Sequence, residues 1–561
     1  MNAAVLAVIG LTMIFLGYRF YSKFIAEKIY QLDPDFVTPA HAQRDDIDYL
    51  PTNRIVLWGH HFTAVAGAAP IIGPGIAVIW GWLPAFLWVV FGTMFFAGVH
   101  DFGAVWASVR NKGVSVSSLT GDVVSPRARA LFMVVVFFLL MMVNAVFGVA
   151  ISDAFQETPS SVIPAWTAVF VAVVIGVLIY RMHVPILWPT IVGTVILYAV
   201  IYLGEAVPLS LTAGSLGLPV GAQWILILFA YAGIASLLPV WLLLQPRDYI
   251  NGIQLFVGLG LLYGAVLIAN PTIVAPAINP DLPASAPPMF PLLFVTIACG
   301  AISGFHGLVG SGTTSKQLDK ETDARFVGYL GSSGEGALAL VAIIAATAGF
   351  ANLADWREMY SEFGNGGMVA FVQGGSRVVA SGVGISEQFA ATLLTVMAVL
   401  FAGTTMDAGV RLQRYIVQEW GSIYGIPVLQ NGYVATGMAV TACLLLAFGA
   451  GGASGEGGML IWPLFGTTNQ LLAGLTLLVI SVMLVKLGRP ARYTLIPMVF
   501  ITTAALGAAL VQLATLYRQG GIFYPLLWID VAIVLLAILV MLEASSAFLR
   551  ERRAAATGAA A

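Results

Sequence analysis

The stretch 59–101, GHHFTAVAGAAPIIGPGIAVIWGWLPAFLWVVFGTMFFAGVHD, constrains the fold more than any other part of the 561-residue chain. Its first half is apolar enough for a membrane-spanning helix, but helix-breaking residues interrupt it: Gly67, Pro70, Gly73, Pro74 and Gly75. Because lipid cannot hydrogen-bond the backbone groups that such a break frees, membrane helices are normally broken only where those groups line a cavity or meet a ligand. A second apolar span follows directly and contains His100 and Asp101. The sequence therefore predicts a discontinuous membrane helix next to a polar site.

The composition also indicates a membrane protein. Hydrophobic residues make up 59% of the chain and charged residues 9%, and the mean hydropathy is +0.92. A soluble protein of this length could not cover its surface with so few charges. The net charge of −2 gives no indication of nucleic-acid binding. Cys299 and Cys443 stand alone in apolar runs, so neither a disulfide framework nor a zinc site is predicted.

Fifteen segments are apolar and long enough to cross a bilayer, which takes about 20 residues. Basic residues follow the first of them rather than precede it, the opposite of a cleavable signal peptide, so this segment is predicted to be retained as a span. The segments lie near 2–18, 60–80, 82–109, 129–150, 163–180, 186–204, 223–244, 252–269, 289–311, 326–350, 387–408, 432–449, 459–485, 494–516 and 523–549.

The positive charges predict the orientation of these spans. With the N-terminus outside, 22 of the 25 Lys and Arg residues fall on the cytoplasmic side, and only Arg357, Arg377 and Arg518 fall outside. Cytoplasmic loops are enriched in Lys and Arg, and one span more or fewer would reverse every later loop, so the asymmetry supports the count. We therefore predict the N-terminus outside and the C-terminus inside.

The order of the spans indicates an inverted repeat. The broken span at 60–80 runs from inside to outside, and five spans later a segment carrying Pro239 runs in the opposite direction. Five-helix units of opposite orientation with discontinuous first helices are typical of the LeuT-type fold, although membrane helices also tolerate proline kinks without a repeat. We predict an all-α polytopic membrane protein of about 15 transmembrane helices with a LeuT-like 5+5 inverted-repeat core. Its parts are an N-terminal helix and cytoplasmic loop at 1–55, the repeats at 56–204 and 205–410, and accessory helices at 411–561.

Several ionisable residues are predicted to lie near the midplane of the membrane. Asp101 precedes Arg110 by nine residues, about 14 Å along a helix, and His306 and Glu335 lie about 15 Å from the nearest basic residue. A bilayer core is about 30 Å thick. A carboxylate there costs about 2.5 kcal/mol or more, so it persists where it pairs, binds an ion or carries protons. Together with His100 these residues suit proton coupling; the alternative is a structural polar cluster.

Two further polar segments lie inside predicted spans. The run 303–316, SGFHGLVGSGTTSK, can supply oxygen ligands for Na⁺ from Ser311, Thr313 and Thr314, or it can pack closely through its glycines. The island 462–470, WPLFGTTNQ, indicates hydrogen bonds between helices.

Other polar residues receive structural interpretations. Asp407 is predicted to form an ion pair with Arg411, one helical turn away and close to the cytoplasmic surface. His60 and His61 are predicted to cap the inner mouth of the broken helix, because no further cluster of metal ligands accompanies them. HExxH and Walker motifs are absent from the sequence, so the chain is not predicted to be an enzyme.

Seven motifs in the chain closely resemble the carbon starvation protein A family of bacterial inner-membrane transporters. The resemblance implies uptake of peptides or pyruvate driven by an ion gradient, and the LeuT-like core of the amino acid–polyamine–organocation superfamily. The chain departs from the usual family pattern at Ala69 and Ser315, where glycine and proline are usual, so its substrate can differ from theirs. The motifs are Asn53-Arg54 through GHHF (59–62), AGAAPIIGP (66–74), VHDF (99–102), QPRDY (245–249), SGFHGLVGSGTTSK (303–316), MDAGVR (406–411) and WPLFGTTNQLLA (462–473).

We therefore predict a secondary active transporter that imports a small carboxylate nutrient, pyruvate or short peptides, coupled to a proton or sodium gradient. The half-helix ends are expected to hold the substrate carboxylate, because backbone N–H groups and the positive helix terminus favour an anion. No cofactor is expected, and the oligomeric state is left open. A channel, or a nutrient sensor that binds the same ligand without net flux, is the alternative. The predicted substrate-binding residues are Gly67, Ala68, Pro70, Gly73, His61, Ser303 and His306, and the predicted ion-coupling residues are His100, Asp101, Glu335, Ser311, Thr313 and Thr314.

Overall fold

The computed structural model describes residues 1–561 except 46–47, 186, 213–216, 240, 452–457, 522–524 and 557–561. Within the described residues the chain is helical and forms no β-strand. The helices discussed below are α1 (Ala3–Tyr30), α2 (Arg54–Val65), α3 (Ala69–Trp80), α4 (Trp82–Arg110), α5 (Pro126–Glu157), α6 (Pro159–Tyr180), α7 (Leu187–Gly204), α8 (Val220–Leu237), α9 (Leu244–Ala269), α10 (Met289–Thr296), α11 (Gly304–Val309), α12 (Arg325–Ala348), α13 (Gly367–Val383), α14 (Glu387–Ile423), α15 (Gly432–Gly449), α16 (Ile461–Lys486), α17 (Arg492–Gly520) and α18 (Pro525–Arg553).

Within the described residues, each of the fifteen predicted spans overlaps one or more helices. Thirteen are single helices that are long and apolar enough to cross a membrane, and the fourteenth is the pair α2 and α3, bent by 51°. The span predicted at 289–311 is divided, because α10 ends at Thr296 and α11 begins only at Gly304. The described part of the chain is thus an all-α polytopic membrane protein with two discontinuous spans. The LeuT-type repeat and the orientation of the termini stay predictions.

The break predicted at Pro239 is wrong. α8 is continuous and ends at Leu237, so Pro239 lies in the connection to α9 rather than inside a span. Proline has no N–H to donate and disfavours a helical conformation in the preceding residue, and Leu238 is accordingly extended. The second discontinuous span is instead the one at 289–317. The predicted division into repeats at residue 205 relied on a break at Pro239, and that support is therefore lost.

The two discontinuous spans cross each other at their breaks. Gly73 in α3 lies so close to the end of α10 that a Cβ atom there would be 2.4 Å from the carbonyl oxygen of Thr296. Gly300, between α10 and α11, has a φ of +90°, and its Cβ would meet Ala339 of α12 at 2.6 Å and the Cα of Pro70 at 3.6 Å. Only glycine allows so close an approach of two backbones at these points.

Residues 351–386, between the predicted spans at 326–350 and 387–408, contain two helices. Leu353–Met359 is short, whereas α13 has 17 residues and packs against α9, α12 and α14. The backbone of α13 also touches α3, where a Cβ on Gly75 would be 2.5 Å from the carbonyl oxygen of Gly367. α3 is thus enclosed within the bundle by α12 and α13.

Candidate functional site

Four ionisable side chains in the interior form what we call the carboxylate–imidazole chain: His100, Asp101, His306 and Glu335. The Nδ1 atoms of His100 and His306 lie 2.7 and 2.8 Å from the two carboxylate oxygens of Asp101. On the other side of its ring, Nε2 of His306 is 3.2 Å from Oε1 of Glu335, without the alignment of a hydrogen bond. None of the four is more than 1% exposed. The structure thus brings together, from α4, α11 and α12, the residues that the sequence places near the midplane.

The carboxylate–imidazole chain can hold a proton and pass it along. An ionised carboxylate only accepts hydrogen bonds, so the Nδ1 atoms of both imidazoles donate to Asp101. A proton between His306 and Glu335 gives either an imidazolium flanked by two carboxylates or a neutral imidazole beside a carboxylic acid. With that proton the four groups carry one negative charge, and without it they carry two. The proton therefore lowers the net charge that is buried at the site, and burial of uncompensated charge is costly.

A further histidine joins the two broken spans. His61 in α2 is fully buried, and its Nδ1 is 2.8 Å from the hydroxyl oxygen of Thr314, in the turn that continues α11. Gly310 separates it from the carboxylate–imidazole chain, since a Cβ there would be 3.7 Å from the His61 ring and 4.0 Å from the carbonyl oxygen of Asp101. His60 is only partly buried. His61 therefore lies in the junction of the helices, deeper than the mouth position predicted for the pair.

At the break in the first span, the backbone N–H groups of Ala68 and Ala69 are the ones that no described hydrogen bond uses. Three residues, 66–68, separate α2 from α3, and no side chain caps the N-terminus of α3. The first N–H groups of a helix have no partner within it, and the positive end of the helix dipole lies there too. Gly67, Ala68 and Pro70 are all buried, and Gly67 lies against the hydroxyl of Thr405 in α14. Because Pro70 has no N–H, a bound carboxylate would take its hydrogen bonds from the backbone just before it.

In the second broken span, side chains replace the missing helical hydrogen bonds. Four carbonyl oxygens at and beyond the end of α10 accept hydrogen bonds from side chains of α4 and α16. Carbonyl groups freed at membrane depth would otherwise cost several kcal/mol each, so these donors make the break possible. The pairs are Gln470 Nε2 to Phe294 (2.5 Å), Trp462 Nε1 to Thr296 (3.2 Å), Trp88 Nε1 to Ile297 (3.1 Å) and Thr93 Oγ1 to Gly300 (3.2 Å).

The start of α11 is also capped from α16. Oδ1 of Asn469 accepts a hydrogen bond from the N–H of Phe305 at 3.0 Å, and Nδ2 of the same residue donates to the hydroxyl of Ser303 at 3.0 Å. Ser303, a predicted substrate-binding residue, is therefore engaged by this cap. Hydrogen bonds between helices, predicted for 462–470, are present. The sequence does not predict that these hydrogen bonds complete the backbone of the broken span. The feature that could indicate it is the presence of several indole and amide donors within one apolar span.

The hydroxyl groups predicted to bind Na⁺ do not converge. The Ser311 hydroxyl donates to a carbonyl of its own helix at 2.6 Å and accepts from the N–H of Val116 at 3.0 Å. Thr313 is exposed and donates to a carbonyl one turn back at 3.0 Å. Only Thr314 reaches the interior, where it contacts His61. In the part of the chain that the structure describes, no three His, Cys, Asp or Glu residues form a group that could hold a metal ion.

The ion pair predicted between Asp407 and Arg411 is wrong. Asp407 pairs with Arg247 of α9 and accepts a hydrogen bond from the hydroxyl of Tyr231 at 2.8 Å. Arg411 donates to two carbonyl oxygens at the end of α8, both at 2.8 Å. The last carbonyls of a helix have no partner within it, so they draw the guanidinium of Arg411 away from its neighbour on the same helix.

A large cavity, which we call the vestibule, opens where α5 ends and α14 begins and reaches Ile72 in α3. Its volume is about 1010 Å³, and its lining includes three carboxylates, those of Asp153, Glu157 and Glu387. Arg377, outside the lining, pairs with Glu387 at 3.1 Å. No Lys, Arg or His lines the vestibule within the described residues. An acidic space thus leads to the helix that follows the first break.

Comparison with known proteins gives consistent matches along the chain. The model of the family described as "Carbon starvation protein CstA" matches residues 2–354 and 350–508. The "Peptide transporter CstA" of Campylobacter jejuni is 33% identical over 93% of this chain and 81% of its own length. The "Pyruvate/proton symporter BtsT" of Escherichia coli K12 is 30% identical over 93% of this chain and 83% of its own length. A solved manganese transporter from Eremococcus coleocola aligns with a TM-score of 0.48 at 12% identity, over 91% of this chain and 99% of that one, and is too distant to guide the helix arrangement.

Proposed function

The chain belongs to the carbon starvation protein CstA family, and from this premise we propose that it is a secondary active transporter that imports short peptides together with protons. The carboxylate–imidazole chain at the crossing of the two broken spans carries the proposal. Gly300, at the second break, packs on Ala339, one helical turn from Glu335, and on Pro70 beside the first break. A substrate at the breaks and a proton on Glu335 or His306 would therefore be close neighbours.

Proximity gives a physical basis for coupling. A substrate carboxylate at the N-terminus of α3 adds negative charge to a buried region, and a proton on the carboxylate–imidazole chain offsets it. Each ligand then binds more tightly when the other is present, which is the requirement for a coupled carrier. With substrate and proton both bound, their charges offset each other. The fully loaded carrier would then change conformation more readily than a carrier that holds only one of the two.

The distribution of oxygen atoms supports H⁺ rather than Na⁺ as the coupling ion. Na⁺ needs several oxygen atoms directed at one point, and the hydroxyls of Ser311, Thr313 and Thr314 are dispersed or already engaged. The carboxylate–imidazole chain, in contrast, offers linked groups that can exchange a proton. The relative in Escherichia coli is named a pyruvate/proton symporter.

The vestibule supports peptides over pyruvate as the substrate. With the N-terminus outside, as the charge pattern predicts, the vestibule faces the outside and receives the substrate first. Because no cationic side chain lines it within the described residues, the vestibule favours the ammonium group of a peptide over pyruvate, which carries only a negative charge. A volume of about 1010 Å³ also suits a di- or tripeptide better than a three-carbon acid. Pyruvate stays the second candidate because a relative is named for it.

The proposal can be tested by uptake into proteoliposomes. An inward proton gradient should drive accumulation of dialanine, and a sodium gradient should not. Asp101→Asn and Glu335→Gln should abolish gradient-driven accumulation but leave counterflow exchange, because exchange needs substrate binding without net proton movement. Asp530→Asn is the matched control, since it removes an equally buried carboxylate from α18. Its accumulation should match that of the unmodified protein.

Four results would contradict the proposal in different ways. Unchanged accumulation in both Asp101→Asn and Glu335→Gln would exclude proton coupling through the carboxylate–imidazole chain. Accumulation of pyruvate but not of dialanine would mean that pyruvate, and not a peptide, is the substrate. Saturable binding of dialanine without flux would indicate a sensor, and flux without counterflow would indicate a channel.

A further inference from the structure

One buried face of α9 carries amide atoms that have no hydrogen-bond partner within the described residues. Gln254 is 3% exposed, and neither its Oε1 nor its Nε2 has a hydrogen-bond partner within the described residues. Oδ1 of Asn251, one turn earlier, is also unpartnered. On the opposite side of α9, Phe256 is exposed. Gln254 therefore points into the bundle, where an unsatisfied amide is costly unless a ligand completes it.

Contacts of α9 place this amide pair beside the first break. Nδ2 of Asn251 donates to the hydroxyl of Thr404 in α14, and the next residue, Thr405, lies against Gly67. On the other side, a Cβ on Gly252 would be 2.9 Å from the hydroxyl of Thr63 in α2. α9 thus runs between the half-helix that leads into the break and the helix that touches the break itself.

Further along α9, Gly258 packs against Met397 of α14, one turn beyond Gln254. Asn251 and Gly258 therefore fix the face of α9 that meets α14, and Gln254 lies between them on this face. A ligand whose carboxylate binds the N–H groups of Ala68 and Ala69, and whose other end extends along α9, would meet Gln254 one turn beyond Asn251.

We propose that Gln254, supported by Asn251, binds the peptide bond of the substrate, an inference that rests on the proposed peptide transport. A primary amide with both ends free is the complement of a secondary amide, because Nε2 donates to the peptide carbonyl and Oε1 accepts from the peptide N–H. Pyruvate has no N–H to donate, and Na⁺ would use only the oxygen atoms. A peptide bond is the group that uses both.

The test compares dialanine with alanyl-sarcosine, whose peptide nitrogen is methylated and cannot donate. The unmodified protein should transport alanyl-sarcosine with a KM about tenfold higher, the size expected for one lost hydrogen bond that leaves a buried acceptor unpaired. In Gln254→Leu the KM for dialanine should rise about tenfold, and the two peptides should become nearly equal. Because the same two peptides are compared in each protein, differences in their own conformations cancel.

Gln512→Leu is the matched control for loss of a buried glutamine. Gln512 lies in α17 and is 7% exposed, and its Nε2 donates to Thr467 at 2.7 Å. This variant should keep the tenfold preference for dialanine. Gln254→Met, similar in volume, repeats the test should the leucine variant fold poorly.

The outcomes separate this inference from the proposed function. Transport of both peptides with equal KM by the unmodified protein would overturn the role of Gln254 alone, as would a preference that survives in Gln254→Leu and Gln254→Met. Absence of any dialanine transport by the unmodified protein would overturn the proposed substrate and this inference together.

Discussion

Replacing Gly73 by alanine tests whether the two broken spans must touch. The added methyl carbon would lie 2.4 Å from the carbonyl oxygen of Thr296, and real Cβ contacts essentially never fall below 3.0 Å. α3 and the end of α10 must then separate by at least the difference, about 0.6 Å. The obstacle is a backbone atom, which cannot rotate away as a side chain can.

The energetic cost follows from this displacement. Overpacking of a well-packed interior typically costs about 1–3 kcal/mol. The same carbonyl oxygen of Thr296 accepts a hydrogen bond from Trp462 at 3.2 Å, and weakening of such a bond between membrane helices adds about 0.6 kcal/mol. We expect Gly73→Ala to destabilise the purified protein by about 2–3 kcal/mol. If about 1.4 kcal/mol of this falls on the substrate-binding state, uptake at limiting substrate drops about tenfold.

The measurements are uptake in proteoliposomes and thermal unfolding in detergent. Gly312→Ala serves as the matched control, because nothing lies within 4 Å of its added methyl carbon. Gly67→Ala should behave differently from Gly73→Ala, since its methyl would clash with the side-chain hydroxyl of Thr405, at 2.6 Å, and would meet Phe147 at an ordinary contact distance of 3.6 Å. Adding Thr405→Ala should therefore restore part of the uptake lost in Gly67→Ala. Wild-type uptake and stability in Gly73→Ala would refute the claim that contact between the two breaks matters.

Further substitutions test the polar contacts and the topology. Asn469→Leu should lower stability by about 2 kcal/mol, because it leaves a buried N–H unpaired, whereas Asn469→Asp keeps an acceptor and should cost less; equal losses in thermal unfolding would contradict the proposed cap. Arg247→Met should destabilise by about 3–5 kcal/mol by leaving Asp407 buried without its partner, and Arg247→Met with Asp407→Leu should recover most of the loss; a double variant no more stable than the single one would refute this reasoning. A membrane-impermeant maleimide applied to intact cells should label Ser361→Cys and not Lys320→Cys, since both positions are exposed and both native cysteines are buried; the reverse pattern would invert the predicted orientation.

The sequence predicts the spans and the first break well because their signals are local. Hydropathy over about 20 residues reports the lipid environment directly, and clustered glycine and proline report a break within one turn. The proximity of Asp101, His306 and Glu335 could also be predicted in part, because the distance of each from the nearest basic residue along its helix places all three at the same depth in the membrane. Depth does not determine lateral position, however. It could not predict that Asp407 selects Arg247 from another helix rather than Arg411 from its own.

The features that the sequence left open depend on which helices are neighbours. The break at 297–303 contains one glycine and no proline, so its local signal is weaker than that of Pro239, but indole and amide donors lie opposite it. Gln254 was not singled out because a single glutamine in an apolar helix has no pattern. Its significance depends on the missing partners and on the nearby break, which only three-dimensional packing shows.

The four side chains that complete the second break have a consequence for motion. Two of them come from α4 and two from α16, so the span at 289–317 is fastened to both helices by its own backbone. When the carrier changes the side to which it is open, breaking these bonds would expose carbonyl groups at membrane depth. We therefore expect α4, α16 and this span to move as one rigid unit, and α3 to slide against it at Gly73. A chain cut after residue 410 would lose part of the moving body, not a dispensable appendage.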